Sequence, residues 1–564
     1  MFKNNLLCIT LLLTIFSARV FASGIQVLGT TVTTNDDKKS AQIKFSLMWD
    51  HSWRLADGPA NWDAAWVFIK YRTMPGDNWR HAYIKATGSE MPDNASFKIG
   101  NSVAVVGGVN TTVGVGAFIF RKEPGNGTVV FTDCELYWDF SQNGLTGGEQ
   151  VEVCVLATEM VYIPQVSFYL GDYTSVGRFK YNTSQTSNTT TPAAEQAYQI
   201  SSATSAPYFS NAHMYTNQTS ATYVNPINTV KGYLASIVAP SPDDQSNQAR
   251  TNLYNNTGTT ANGSAITANF PRGFNAFYCM KYEITQGEYL QFLNKNLVAV
   301  KNAKYYFYDD EGAVGRYSIR MREGTGTATY PAEYELANPS AAYLPCNYLG
   351  TKDITAWLIW AGLRPMTELE FEKICRGPVA IPGTGSLRPQ YAWGSIDIYP
   401  AAGFANKGGA NEAPQNADGN CAVATTAGAT IGGGTNTALD GPMRSGGFST
   451  PVSSREKAGA TYYGVMEMSG NLWERCITAG LDAGRAFQGW IVNGHGNGDT
   501  GPGVNPDLPI GGGWPAVGGA GLGFRGGSYL DEAARARISD RTFINLNNTS
   551  RHQSFGGRGV RSDL

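Results

Sequence analysis

Charge is scarce in this sequence: Asp, Glu, Lys and Arg make up only 16% of its 564 residues, with a formal balance of −2. No dense Lys/Arg run occurs, which argues against a nucleic-acid partner. Beyond the N-terminus no apolar run reaches the roughly eighteen residues a spanning helix needs, so no transmembrane segment is expected. The histidines number five, His51, His81, His213, His495 and His552, scattered without metal-ligand spacing. No C-x-x-C pair is present, which removes zinc ribbons and thioredoxin-like redox sites. A G-x-S-x-G elbow in a strand–helix context is missing too.

Glycine (66 residues) and aromatics (12%) are plentiful, the profile of loop-rich, β-leaning globular domains. The chain is too long for one ordinary core, so two or three domains are expected. Residues 1–22 read as a secretory signal, with Lys3 as the positive start, an apolar stretch over 6–16 and Val20-Phe21-Ala22 as the cleavage site. The product is expected to be secreted or held at the cell surface. Cleavage removes Lys3 and Arg19, moving the balance from −2 to −4, and leaves Cys134, Cys154, Cys279, Cys346, Cys375, Cys421 and Cys476. Export permits disulfides, and Cys134 with Cys154 is the candidate pair across neighbouring strands. The other reading is cysteine buried as a small apolar residue.

Residues 23–172 carry β patterns at 41–49 (AQIKFSLMW), 65–71, 103–106, 117–121, 127–138 and 149–156, separated by Gly, Asn and Asp. That spacing predicts an all-β, sandwich-like N-terminal domain. Trp49, Trp53, Trp62, Trp66 and Trp79 crowd together there. Their faces suit either sugar stacking or core and cross-strand packing. Residues 173–235 are rich in Ser, Thr and Asn and read as a connector. The second domain spans 236–564. In it Thr285-Gln-Gly-Glu288 and Thr367-Glu-Leu-Glu370 are capping boxes that each open a short helix, and 353–363 shows helical apolar spacing ended by Gly362. The Gly/Ala/Thr/Asn-rich stretch 377–463 is a loop excursion long enough to need an outside tie. Asn406, Asp418 and Asn420 are its oxygen-bearing candidates.

Residues 464–476, GVMEMSGNLWERC, are the centre of the second domain. Ser469-Gly470-Asn471 breaks any regular period and predicts a tight turn, with Gly470 and Asn471 tolerating a left-handed backbone. Such a turn exposes carbonyls, and Glu467 and Glu474 stand where they either close around a hard cation such as calcium or are simply solvated.

This segment resembles the core motif of the formylglycine-generating enzyme, or sulfatase-modifying factor, family. Further blocks follow the family's order: YEIT with GEYLQFLN, AWLIWAGLRPMTELEFEKICRG (356–377), YAWG (391–394), FRGGSY (524–529) and GGRGVR (556–561). The resemblance covers roughly the last 300 residues. It implies an α+β, C-type-lectin-like formylglycine-generating-enzyme fold with little regular secondary structure. It also implies two calcium sites. One carries over onto Glu467, Glu474 and the carbonyls of Gly470 and Leu472, the other onto Asn406 and, by rough spacing, Asp418.

Active members of the family oxidise a cysteine of a client sulfatase through two copper-binding cysteines placed directly after the GGSY block. Here the block reads GGSYLDEAARAR, with Asp531 at the first position and Ala536 at the second, and no cysteine follows Cys476. Cu(I) needs soft thiolates, so no copper is expected and no catalytic residue is assigned. Relatives that use iron do so through a histidine motif that is not visible here.

Two functions follow. The first is a non-catalytic binding or structural protein that recognises an extracellular protein or glycan. Its contact face would be Tyr529, Asp531, Glu532, Arg541, Asn545, Asn548 and His552. The alternative is a diverged sulfatase-modifying oxidase acting on an exported client. Arg535, Arg537 and Arg541 are expected to pair with acids such as Asp540 or with loop carbonyls.

Overall fold

Alternating burial along the first long strands builds the larger sheet of the computed structural model. The structure describes residues 24–172 and 269–564 except 77, 311, 328, 380–387, 451, 499–512 and 516–517, together with 175, 179–182, 198–201 and 233–236. The expected signal (1–22) and nearly all of the expected connector lie outside the described residues. Strands dominate and helices are few and short.

Nine strands come first: β1 (Gln26–Thr34), β2 (Ala41–Arg54), β3 (Asp63–Met74), β4 (Arg80–His81), β5 (Ile84–Glu90), β6 (Ala95–Val106), β7 (Val109–Arg121), β8 (Gly125–Trp138) and β9 (Gln150–Ile163). Two short antiparallel pairs follow, β10 (Phe168–Leu170) with β12 (Tyr198–Ile200), and β11 (Phe179–Asn182) with β13 (Tyr233–Ser236). Next come β14 (Phe277–Met280), α1 (Gln286–Asn294), α2 (Val298–Asn302), β15 (Ile319–Met321), β16 (Tyr334–Leu336), α3 (Thr351–Trp360) and α4 (Glu368–Arg376). The chain closes with β17 (Phe404–Ala405), β18 (Ala413–Pro414), β19 (Trp473–Ile477), β20 (Leu522–Arg525), β21 (Phe555–Gly556) and β22 (Val560–Ser562).

The large sheet has the order β1-β2-β8-β5-β7-β3-β9-β14-β22 and does not close on itself. β2 alternates strictly, pointing Ala41, Ile43, Phe45, Leu47 and Trp49 inward. These meet Ala65, Val67, Ile69 and Tyr71 of β3 and Phe131 and Leu136 of β8 in one core. β3 instead is buried without interruption from Asp63 to Tyr71, because its other face, Ala64, Trp66 and Phe68, packs on Trp357, Leu358 and Trp360 of α3. A strand buried on both faces reads as a continuous apolar run. Gly116 of β7 lets the Trp66 ring approach; a Cβ there would stand 2.4 Å from the ring.

The sheet continues into the second half of the chain. β14 pairs with β9 from Phe277↔Ile163 to Met280↔Met160, and β22 pairs with β14. Trp66 Nε1 donates to Ala361 O at 2.8 Å, and Asn61 Nδ2 to Tyr463 O at 2.7 Å. Lys281 Nζ lies 2.6 Å from Glu159 with both side chains buried. Burial works against the lysine's charge, but Glu159 and Asp63 hold its proton on more firmly than usual.

Both expected capping boxes are present: Thr285 accepts from Glu288 N, Thr367 accepts from Glu370 N, and each glutamate returns to the cap N–H. The expected disulfide is not formed. Cys134 lies on β8 and Cys154 on β9, which are not neighbours in the sheet, and both thiols are free. All seven described cysteines are free, six of them fully buried, the small-apolar reading. The tryptophan crowd also packs inward. Trp49, Trp66 and Trp79 are buried, Trp62 stacks on Tyr162 and Phe120, and Trp53 lies under the Lys281 ammonium. No described helix is long and apolar enough to cross a membrane.

Candidate functional site

The 464–476 turn forms as its residues dictate. Gly470 has φ +84° and Asn471 φ +66°, with Glu467 also left-handed at +55°. Gly470 is required twice over, since a Cβ would sit 2.3 Å from Ala422 O. The turn leads into β19, whose neighbours are β20 and β21.

Three buried glutamates gather here. Glu283 accepts from Asn471 Nδ2 at 2.6 Å and from Leu472 N at 2.9 Å. Glu467 Oε1 accepts from Gly446 N at 2.9 Å, while Oε2 has no hydrogen-bond partner. Glu474 meets the buried Arg558, with Nε donating to Oε2 at 2.8 Å and Nη2 at 2.7 Å from Oε1. Burial pushes the Glu467 carboxyl up to about 7, opposed by the Gly446 N–H and the Arg558 charge. Burial and the Glu474 charge raise Glu283 well above the carboxylate range.

Of the expected calcium set, Glu474 is engaged by the Arg558 guanidinium, while Glu467 keeps one buried oxygen without a partner. The other expected set is apart from them. Asn406 is exposed, with Nδ2 donating to Asn411 O at 3.3 Å. Asp418 is also exposed, 3.6 Å from Lys457. Asn420 is buried and holds the backbone at Tyr399 and Glu456. The long excursion is tied by Glu412, which pairs with Arg316 and accepts from Gly408 N and Arg444 N.

The seven expected contact residues separate. Asp531 is only 4% exposed. Its carboxylate accepts from Gly432 N at 2.9 Å, Trp473 Nε1 at 2.6 Å and the Ser528 hydroxyl. A loop lies over this segment: Ala424 N donates to Asp531 O, Gly434 N to Leu530 O and Asn436 Nδ2 to Tyr529 O, at 2.8, 3.0 and 2.8 Å. Tyr529 is buried, its hydroxyl donating to Gln553 at 2.9 Å. His552 sits beside the same loop, its Nδ1 2.7 Å from Ser554 Oγ, and burial lowers its pKa.

Arg541 is elsewhere and interior, with Nε 2.6 Å from Glu368. Asn545 reaches the same glutamate through the Thr478 hydroxyl. Glu532 lies 3.5 Å from Arg535, and Asn548 accepts from Ser550. Ala536, the other position of interest, is buried, its carbonyl accepting from Ser469 Oγ at 2.6 Å. A carboxylate with three donors and a methyl group offer no sulfur, so these two positions do not fit Cu(I).

Sequence reasoning assigned no role to Glu283, Glu368, Glu372, Arg525 or Arg558, although each lies in a quoted block. Arg525 bridges Glu368 and Glu372 at 3.1 and 2.8 Å, and Arg376 joins Glu372 at 3.0 Å. Burial pushes the Glu372 carboxyl up, yet Arg525 and Arg376 hold it below its ordinary value. Acidic residues at every second place in TELEFEK next to buried arginine blocks were the available signal. Among the described residues, no group of three or more His, Cys, Asp or Glu side chains is arranged to hold a metal ion.

A family model described as the sulfatase-modifying factor enzyme 1-like domain matches residues 239–562. No curated protein matches the chain.

Proposed function

Because the chain belongs to the sulfatase-modifying factor enzyme 1-like family, we propose that it is an exported, non-catalytic binding or structural protein that keeps the family scaffold without oxidase chemistry. The observation that carries this is the state of Asp531: three hydrogen-bond donors engage its carboxylate and a loop lies over its backbone. A carboxylate committed in this way holds main chain in place rather than a soft metal. The scaffold is of the C-type-lectin type, preceded by a sandwich-like module, and the partner is an extracellular protein or glycan. Of the seven expected contact residues, the partly exposed Glu532, Asn545, Asn548 and His552 supply the contacts, while Tyr529, Asp531 and Arg541 are buried. The test is incubation of the purified mature chain with copper and a cysteine-containing sulfatase peptide, read by mass spectrometry. The peptide should return unchanged; conversion of its thiol to an aldehyde would overturn the reading.

A further inference from the structure

Arg558 is 1% exposed and lies at the 464–476 turn with its donors spent on oxygen. Nε donates to Glu474 Oε2, Nη1 to the carbonyls of Met280 and Lys281 at 3.1 Å each, and Nη2 to Met466 O at 2.9 Å. A carboxylate and main-chain carbonyls are also the ligand types a hard dication collects. We propose that Arg558 takes the place of calcium at this turn, so that the chain holds its central turn with a cation of its own.

Around this turn the Glu283 and Glu474 carboxyl groups are both engaged by donors of the chain itself. Glu283 spends both oxygens on the Asn471 side chain and the Leu472 N–H, groups that the left-handed backbone at Gly470 and Asn471 turns toward it. Glu467 spends one oxygen on Gly446 N. The Glu283 carboxyl holds the turn by accepting N–H bonds, which a coordinated ion would compete for, and Glu467 keeps its second oxygen without a partner. A guanidinium also does what an ion cannot, because it is covalently part of the chain. Arg558 stands two residues before β22, which pairs with β14 in the large sheet. The Glu474–Arg558 pair therefore fastens the turn to that sheet. Its partners are 84 residues apart in sequence, and neither chelators nor low external calcium can remove it.

The experiment uses the full mature chain, crystallised and soaked in terbium chloride, with anomalous difference maps calculated around Glu474. In the wild type, Arg558 should remain on Glu474 with no anomalous peak within coordination distance, about 2.3–2.6 Å, and Tm should be the same in EDTA and in calcium chloride. A terbium peak on Glu474 with Arg558 displaced would overturn the proposal. Arg558→Met supplies the converse: terbium should enter between Glu467 and Glu474, and calcium should raise the variant's Tm. A folded Arg558→Met chain that leaves this position empty would also overturn it. If the variant does not fold, the wild-type map decides.

Discussion

Asp531 shows how one buried carboxylate ties separate segments together. Its carboxylate joins β19, through Trp473, to the loop at Gly432 and to Ser528. Asp531→Ala leaves buried donors unsatisfied and should cost about 1–3 kcal/mol in urea unfolding; an unchanged midpoint would contradict this role. Asp540 provides a pH test. Burial pushes its carboxyl up to about 6, against the pull of Arg535. Between the unfolded value near 4 and the folded value near 6, the native state keeps a proton that the unfolded chain has released. Stability therefore falls as pH rises through that window. Relative to Asp540→Asn, the wild type should lose on the order of 2 kcal/mol between pH 4 and pH 6.5, and equal slopes would remove the assignment. These residue-level facts were the least legible in the sequence. Asp531 meets partners 58 and 99 residues away, and no local pattern reports such contacts.

Elements were more legible where their cause is local. The two capping boxes were readable because donor and acceptor sit three residues apart, and both form. Thr367→Ala should cost about 1 kcal/mol. Glu370→Ala should cost more, about 3–5 kcal/mol, because it strands Arg364, which is fully buried 2.7 Å from that carboxylate. Chemical denaturation of both variants checks the order, and a reversed order would refute the ion pair's weight. The left-handed turn at Gly470 and Asn471 was legible for the same local reason. The engagement of Glu474 by Arg558 was not, since residue types give a carboxylate the same appearance whether it faces water, calcium or an arginine.

At the scale of the whole molecule, the continuous apolar run of β3 marked a strand, but not what would cover its second face. α3 supplies that cover, and β14 and β22 extend the sheet. Halves that share a sheet and a core should unfold together, so calorimetry of the full chain should show one transition, whereas two well-separated transitions would contradict the shared core. Trp66→Ala should lower that single transition by about 3–5 kcal/mol of stability. The most direct test of the central claim is a Cu(I) titration of the native chain against a competing chelator. The expected result is no copper retained by the chain; one tightly held Cu(I) per molecule, lost in Asp531→Ala, would contradict it.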